Sequence, residues 1–365
     1  MDNIAGQKSS LTWAVHISVA VLVLLWILPT LGLFVSSFRS ADQIASTGWW
    51  KSLFSQEQNV VIRTEKPDQQ KLLDGMYVIE GNLFAQDGSA QGTVSVWGTS
   101  SKEISAYSAG EKADLGKKGF LTVEVNGDYR FEKDTEFTGS RGQRVFLTAE
   151  TPPSFSLDNY RLVLNKNTGT SSMAKAFINT LTVSIPSTII PILIAAFAAY
   201  ALAWMDFRGR ALLVAFVVGL LVVPLQLALI PLLKLHLDIG IGKGYLGVWL
   251  AHTGFGMPLA IYLLRNYMVG LPKDIIENAR VDGATEFQIF VKIILPLSFP
   301  ALASFAIFQF LWTWNDLLVA LVFLIDSTGE TTVMTRQIVE LLGSKGGNWE
   351  ILATAAFVSI SVPLF

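Results

Sequence analysis

Five stretches of the chain run without an Asp, Glu, Lys or Arg: Leu11–Phe38 (28 residues), Ala176–Met205 (30), Ala211–Leu233 (23), Gly244–Leu264 (21) and Ile293–Asn315 (23). A bilayer core of about 30 Å needs about 20 apolar helical residues, so each run is long enough to span. Buried helices of soluble domains rarely hold such lengths five times over, and the pattern predicts an integral membrane protein. A sixth run, Ile351–Phe365, has 15 residues. At ~1.5 Å per residue it reaches roughly 22 Å, too short to cross unaided. It is predicted to be a sixth span truncated at the chain end, with a partial insertion as the alternative. The expected fold class is an all-α polytopic membrane protein of six transmembrane helices, the last truncated, with a small β-rich extracytoplasmic insert.

That insert lies in residues 41–170, where acids and bases mix and the apolar runs stop. In "GFLTVEVNGDYRFEKD", Leu121, Val123 and Val125 alternate onto one face, and Tyr129 and Phe131 resume the pattern after Asn126-Gly127. An Asn-Gly pair between alternating runs is a strong hairpin signal. "GTVSVWG" and "YVIEGNLF" read as further strands, so a β-rich domain is expected over about 60–150. Residues 1–40 then form the N-terminal segment and first span, and 171–365 a five-helix core.

Charge orients the bundle. The loop after the second run carries Arg208 and Arg210; the loop after the fourth carries Arg265, Lys273, Arg280 and Lys292. The loop after the third has Lys234 and Lys243, and that after the fifth sets Arg336 and Lys345 against four acids. Short basic loops stay in the cytoplasm. The N-terminus is therefore expected inside and residues 41–170 outside. The first run, flanked by Lys8 and lacking a small-residue cleavage pattern, is long for a signal segment and reads as an uncleaved span.

Composition narrows the chemistry. Charged residues make up 15% of the chain and mean hydropathy is +0.46, as the runs require. With no cysteine there is no disulfide, thiolate metal site or cysteine nucleophile. A net charge of −2 without a basic block gives no reason to expect nucleic acid. "GIGKGYLG" has Tyr where a phosphate-binding P-loop needs Ser or Thr, and it reads as a turn. Three histidines and no Ser/His/Asp or paired-carboxylate constellation argue against hydrolysis.

Between the fourth and fifth runs, "LPKDIIENARVDGATEFQIF" interrupts the apolar pattern within about 271–292. Pro272 suits a helix start and Asp274 its first turn. Ile276, Ala279 and Gly283 share a face, and Gly283 is placed to end the helix. Thr285 and Gln288 form a capping-box pattern that starts a second short helix. The segment is either an amphipathic loop on the membrane surface or a knob docking into a partner. Glu277, an acid in mid-helix beside Ala279, favours the partner.

Glu277, Ala279, Gly283, Ile293, Leu295 and Pro296 match Glu-x-Ala, a Gly four residues after the Ala, then Ile-x-Leu-Pro. This resembles the EAA loop of ABC importer permeases, with Asn278 in place of the middle Ala. "RVDGAT", "ILPLSFPAL", "FINTLTVS", "PLQLALIPL" and "FLWTWNDLLVAL" are similar to the carbohydrate branch, the maltose permease G-like subunits. The resemblance covers about 170–365 well and 1–50 loosely. The insert is not general to that family and looks closest to alpha-glucoside-type permeases. The resemblance implies a coupling helix seated in a cleft of a cytoplasmic ATPase subunit, with Glu277 as anchor and Ala279 and Gly283 at closest contact. Asp282 and Pro296 belong to the same coupling set. It further implies a homologous second permease, two ATPase subunits holding ATP and magnesium, and an extracytoplasmic solute-binding protein. This chain would then carry no cofactor, sit in the lipid bilayer of a bacterial or archaeal cytoplasmic membrane, and pass an oligosaccharide or glycoside. A secondary transporter, or a membrane-anchored sensor using the β-rich domain, is the alternative.

Intramembrane polar residues are functional candidates. Gln309, Trp312, Asn315 and Asp316 are candidates for the substrate pathway, tryptophans being able to stack on sugars. The competing reading makes the tryptophans interfacial anchors and the polar pair caps or bridges. Asn179 and Thr180 are expected to bond across helices, and His252 to pack singly or line the pore. In the outer loop Asp326–Trp349, "TRQIVELLG" reads as a short helix. Arg336, Gln337 and Glu340 on it are candidate binding-protein contacts, against a membrane-surface element.

Overall fold

The computed structural model describes residues 10–86, 92–151, 153, 155–165, 171–324, 328–345 and 347–364. It divides into two compact units, Met1–Asp158 and Asn159–Phe365.

In the first unit, α1 (Ser10–Ser36) is apolar on all sides, as a span facing lipid must be. Nine strands follow: β1 (Gln56–Arg63), β2 (Lys71–Leu73), β3 (Met76–Asn82), β4 (Thr93–Gly98), β5 (Tyr107–Ser108), β6 (Lys112–Asp114), β7 (Phe120–Val123), β8 (Asp128–Lys133) and β9 (Arg144–Thr151). They form two antiparallel sheets, ordered β1-β9-β4-β5 and β2-β3-β8-β7-β6. Both sheets send alternate residues into one core, Trp97, Val145 and Leu147 from the first and Ile79, Leu121 and Phe131 from the second. The expected hairpin is present, but its turn is longer than the Asn-Gly pair predicts. β7 ends at Val123, and Glu124–Gly127 make the connection, with Glu124 N donating to Asp128 O at 2.7 Å. Val125 therefore leaves the sheet and is exposed, off the face it was expected to share with Leu121 and Val123.

The second unit is helical. Its long spans are α2 (Met173–Trp204) and α5 (Tyr245–Val269). They pack side by side through small buried residues, among them Ala195 and Ala199 on α2 and Ala251 and Ala260 on α5. Small side chains let helices approach closely where lipid supplies no hydrophobic drive.

Two predicted spans are broken. The Ala211–Leu233 run becomes α3 (Arg210–Leu220) and α4 (Leu225–Asp238), bent by 107°. Pro224 caps α4; it donates no N–H and keeps the residue before it out of the α region. The Ile293–Asn315 run begins earlier, as α7 (Glu286–Leu297), and turns by 70° into α8 (Phe299–Trp314). Ser298 makes the turn and Pro300 sits in the first turn of α8. Within α7, Phe290–Ile294 are π-helical just before Pro296. The short helices α9 (Leu318–Phe323) and α10 (Met334–Lys345) and the 16-residue α11 (Trp349–Leu364) follow; the surface helix Lys273–Val281, α6, lies between α5 and α7. Among the described residues, three helices and two bent pairs are thus long and apolar enough to cross a bilayer.

On the β-sandwich, Glu132 accepts from Lys112 Nζ at 2.7 Å and from Arg130 Nε at 2.6 Å. The Lys112 bond foremost, aided by Arg130 and opposed by desolvation, holds its carboxyl below the ordinary range. A carboxylate depressed in the folded state stabilises above its unfolded pKa, about 4.3, and loses that contribution as pH falls through the folded value. Amide-exchange protection of β8, corrected for intrinsic rates, is expected to fall on acidification below about pH 4 in the native chain. In Glu132→Gln it should be lower at neutral pH and flatter with pH. Parallel profiles in the two proteins would exclude Glu132 as the responsive group.

Candidate functional site

α6 is built with two faces. Ile276 is buried among Leu264, Met268, Ile289 and Phe290, and Ala279 packs half-buried against the same cluster. The helix is seated on its own bundle by these residues, so Ala279 points inward. The opposite side is free: the Glu277 side chain is 53% exposed, its carboxylate 3.0 Å from Lys273 Nζ one turn back. Val281 is 85% and Phe287 65% exposed, and Ile275 is also exposed. Val281, one turn on from Glu277, shares its open side, so an acid and a large apolar side chain stand exposed together there.

Gly283 ends α6 as its composition requires. It has φ +83, Ala284 N donates to Ala279 O at 3.0 Å, and Gly283 N donates to Arg280 O at 3.0 Å. These two bonds are a Schellman closure, which needs the left-handed conformation that Gly adopts at least cost. Asp282 is the exposed C-cap. Thr285 and Gln288 then make both bonds of a capping box. The helix they start is not a separate short one: it runs on as α7 into the membrane run. The hinge at Gly283 therefore connects the surface helix directly to a bent span, and Pro296 lies exposed near the end of α7.

A clamp crosses this hinge. Arg280 Nε donates to Glu286 Oε1 at 3.0 Å, and Arg280 Nη2 to the Trp204 carbonyl at 3.1 Å. The Tyr200 hydroxyl donates to Glu286 Oε2. The bond to Glu286 foremost raises Arg280 above its usual pKa and keeps it charged. α6, α7 and the C-terminal end of α2 are thus held as one piece. From the sequence, Arg280 counts only as a loop charge, and neither Glu286 nor Tyr200 stands out. Arg280 and Glu286 flank Gly283 with opposite charges, a signal that could have marked the pair; Tyr200 lies far upstream and carries none.

The four pathway candidates separate. Gln309 is buried, donating through Nε2 to Ser187 O at 3.1 Å and facing Gly256, where a Cβ would meet its Oε1 at 2.6 Å. It bridges α8 to α2 and α5. Trp312 lines an apolar cavity of about 430 Å³ with Val223, Phe255 and Pro258. Asn315 caps α8, donating to Leu311 O at 2.8 Å. Asp316 accepts from Val319 N and Ala320 N at 3.0 and 3.2 Å, starting α9, and lies 3.7 Å from buried His252 Nε2. Asn315 serves a carbonyl at the end of α8 and Asp316 the N–H groups at the start of α9, as a turn at membrane depth requires.

The segment between α9 and α10 is latched to α2. Asn179 Nδ2 donates to Glu330 O and Thr332 O, and Met334 N donates to Thr180 Oγ1, so both residues do bond across elements. On α10, Gln337 is fully buried and donates to Ser171 O at 2.7 Å, turned into the chain rather than outward. Arg336 and Glu340 pair at 2.9 Å and are largely covered. The "GIGKGYLG" turn closes with Ile241 N and Gly242 N both donating to His236 O.

Residues 175–365 match the family described as binding-protein-dependent transport system inner membrane component. The chain is 58% identical over 364 residues to the alpha-glucoside transport system permease protein AglG of Rhizobium meliloti, covering 98% of this chain and 93% of that protein. It is 40% identical over 350 residues to the osmoprotective compounds uptake permease protein GgtD of Synechocystis, covering 96% and 85%. At such coverage the similarity includes the β-sandwich.

If the clamp holds α6 to α7, Arg280→Ala and Glu286→Gln should each raise amide exchange across Lys273–Val281. The double variant should add little, with a coupling of roughly 0.5–3 kcal/mol. Gly283→Ala should cost about 1–2 kcal/mol locally through its left-handed backbone. Additive effects of the two clamp variants would show that the charges act independently.

Proposed function

The chain belongs to the family of binding-protein-dependent transport system inner membrane components and is a permease subunit of an ABC importer rather than an enzyme, and we propose that it carries an oligosaccharide or related glycoside inward. Full-length similarity to a permease named for alpha-glucosides supports the substrate class. In this reading the chain crosses six times, counting α1, α2, the α3–α4 pair, α5, the α7–α8 pair and α11. Its N-terminus lies in the cytoplasm and residues 41–170 outside, as the basic residues of the even-numbered loops favour. A second, homologous permease completes the pathway, two ATPase subunits bind ATP and magnesium below, and a solute-binding protein delivers sugar from outside.

The observation that carries the mechanism is the two-faced α6. Its inner face is welded to the bundle by Ile276 and by Arg280 through Glu286, while Glu277 and Val281 face out, with exposed Phe287 at the start of α7. Glu277 enters a socket on the ATPase. Its bond to Lys273 is an exposed i,i+4 pair worth about 0.3–0.5 kcal/mol, so exchanging it for a socket donor is cheap. When the ATPases close, α6 moves with them. Its motion passes to α7 across the Arg280–Glu286 clamp and reaches the membrane at the Ser298 bend. Exposed Trp312, beside its cavity, with exposed Asn315 at the end of α8, lines this chain's wall of the pathway.

In a reconstituted importer, Glu277→Arg should abolish sugar-stimulated ATP hydrolysis. It should weaken ATPase-subunit association by about thirtyfold or more, the scale of a hot-spot contact. Amide exchange of α6 should stay native, because Glu277 is on the open face. Native association in the variant, or ion-driven uptake by this chain without an ATPase, would overturn the proposal.

A further inference from the structure

The β-sandwich holds a cavity of about 670 Å³ at one end of its two sheets. Six cations line it, Arg63, Lys117, Lys118, Lys133, Arg141 and Arg144, against one carboxylate, Glu65. Among the described residues none of the six enters an ion pair. Other cations of the same sandwich are paired: Lys112 and Arg130 both reach Glu132. The cavity thus gathers six of the domain's unpaired cations against a single carboxylate, while others such as Lys71 and Lys102 lie outside its lining.

The placement costs stability. Arg63 and Arg144 stand directly opposite each other on β1 and β9. Like charges at facing positions of an antiparallel pair destabilise it by up to about 1 kcal/mol. Arg63 is nonetheless fixed, donating from Nη1 to Gly142 O at 3.0 Å, and the neighbouring backbone is closed by Thr64 N donating to Gln143 O at 2.9 Å. Lys117 and Lys118 stand side by side on a tight helical turn, Gly116–Lys118. The floor is apolar, with Phe131 and Phe137 in ring contact at 4.6 Å. A basic rim anchored at Arg63 over an apolar floor, in a concavity whose volume is within the range of small-molecule sites, is suited to a small anion.

We propose that this cavity binds a small, multiply charged organic anion bearing phosphate or carboxylate groups. The two arginines and the Lys117–Lys118 pair take its charged groups, and the Phe131–Phe137 floor takes its carbon skeleton. Arginines at facing positions present forked donors that suit either oxyanion. A compact concavity fits a small molecule better than an extended acidic chain.

The test is calorimetric titration of the full chain in neutral detergent with pyrophosphate and with citrate. Saturable binding of one or both is expected, weakening as salt is raised. Binding of pyrophosphate but not citrate assigns a phosphate ligand, and the reverse a carboxylate. Lys117→Glu/Lys118→Glu should weaken binding by about tenfold or more, whereas Lys117→Arg/Lys118→Arg should retain it. Both lysines are exposed, and β8 amide exchange checks that the sandwich is intact; Arg141→Gln provides a second, milder loss. Absence of saturable heat with both probes at low salt would overturn the proposal. So would binding that is equal in the native chain and the folded Lys117→Glu/Lys118→Glu variant, since the anion would then lie elsewhere.

Discussion

The contact on which the geometry around α6 depends is Arg280 bridging Glu286 and the Trp204 carbonyl. Without it, α6 would hang from a glycine hinge, held by Ile276 and a few half-buried neighbours. With it, the surface helix, the start of a bent span and the end of α2 form one piece. A charged three-way contact suits this place because its partners come from three elements and the site is only partly exposed. There charge-assisted bonds keep more of their strength than on an open surface. The same arrangement leaves Glu277 outside, tied to Lys273 by a weak pair, so the acid that opens α7 is structural while the one on α6 is not.

The second constraint is that apolar runs must satisfy their own backbone. Where α3 meets α4 and α7 meets α8, the chain breaks at Pro224 and just before Pro300, residues with no N–H to give to the ladder. Where α8 ends, Asn315 and Asp316 supply the missing partners by capping. Gln309 and Asn179, polar within or beside spans, are spent on carbonyls of neighbouring elements. Polar residues in this bundle thus mostly close backbone, and Trp312 beside its cavity keeps a free face. The β-sandwich follows the opposite economy: its core is a conventional shared layer, yet its rim keeps Arg63 facing Arg144.

Much of this was legible along the chain. Charge-free runs mark the spans, because a bilayer demands length and apolarity of each segment by itself. Alternation marks the strands, and Gly283 with the Thr285–Gln288 box marks the hinge, because a left-handed residue and a cap act within a few positions. What sequence left undecided depends on partners distant in the chain. The straightness of a run cannot be read from its apolarity, so the bends at 107° and 70° were missed. Whether Gln337 faces outward or inward was decided by Ser171, and whether Ala279 faces a partner or the bundle by Leu264 and Ile289. Local geometry and solvent preference are properties of short segments and are written in them; orientation, clamping and the gathering of six cations at one cavity arise when remote segments meet, and the tertiary structure decided those.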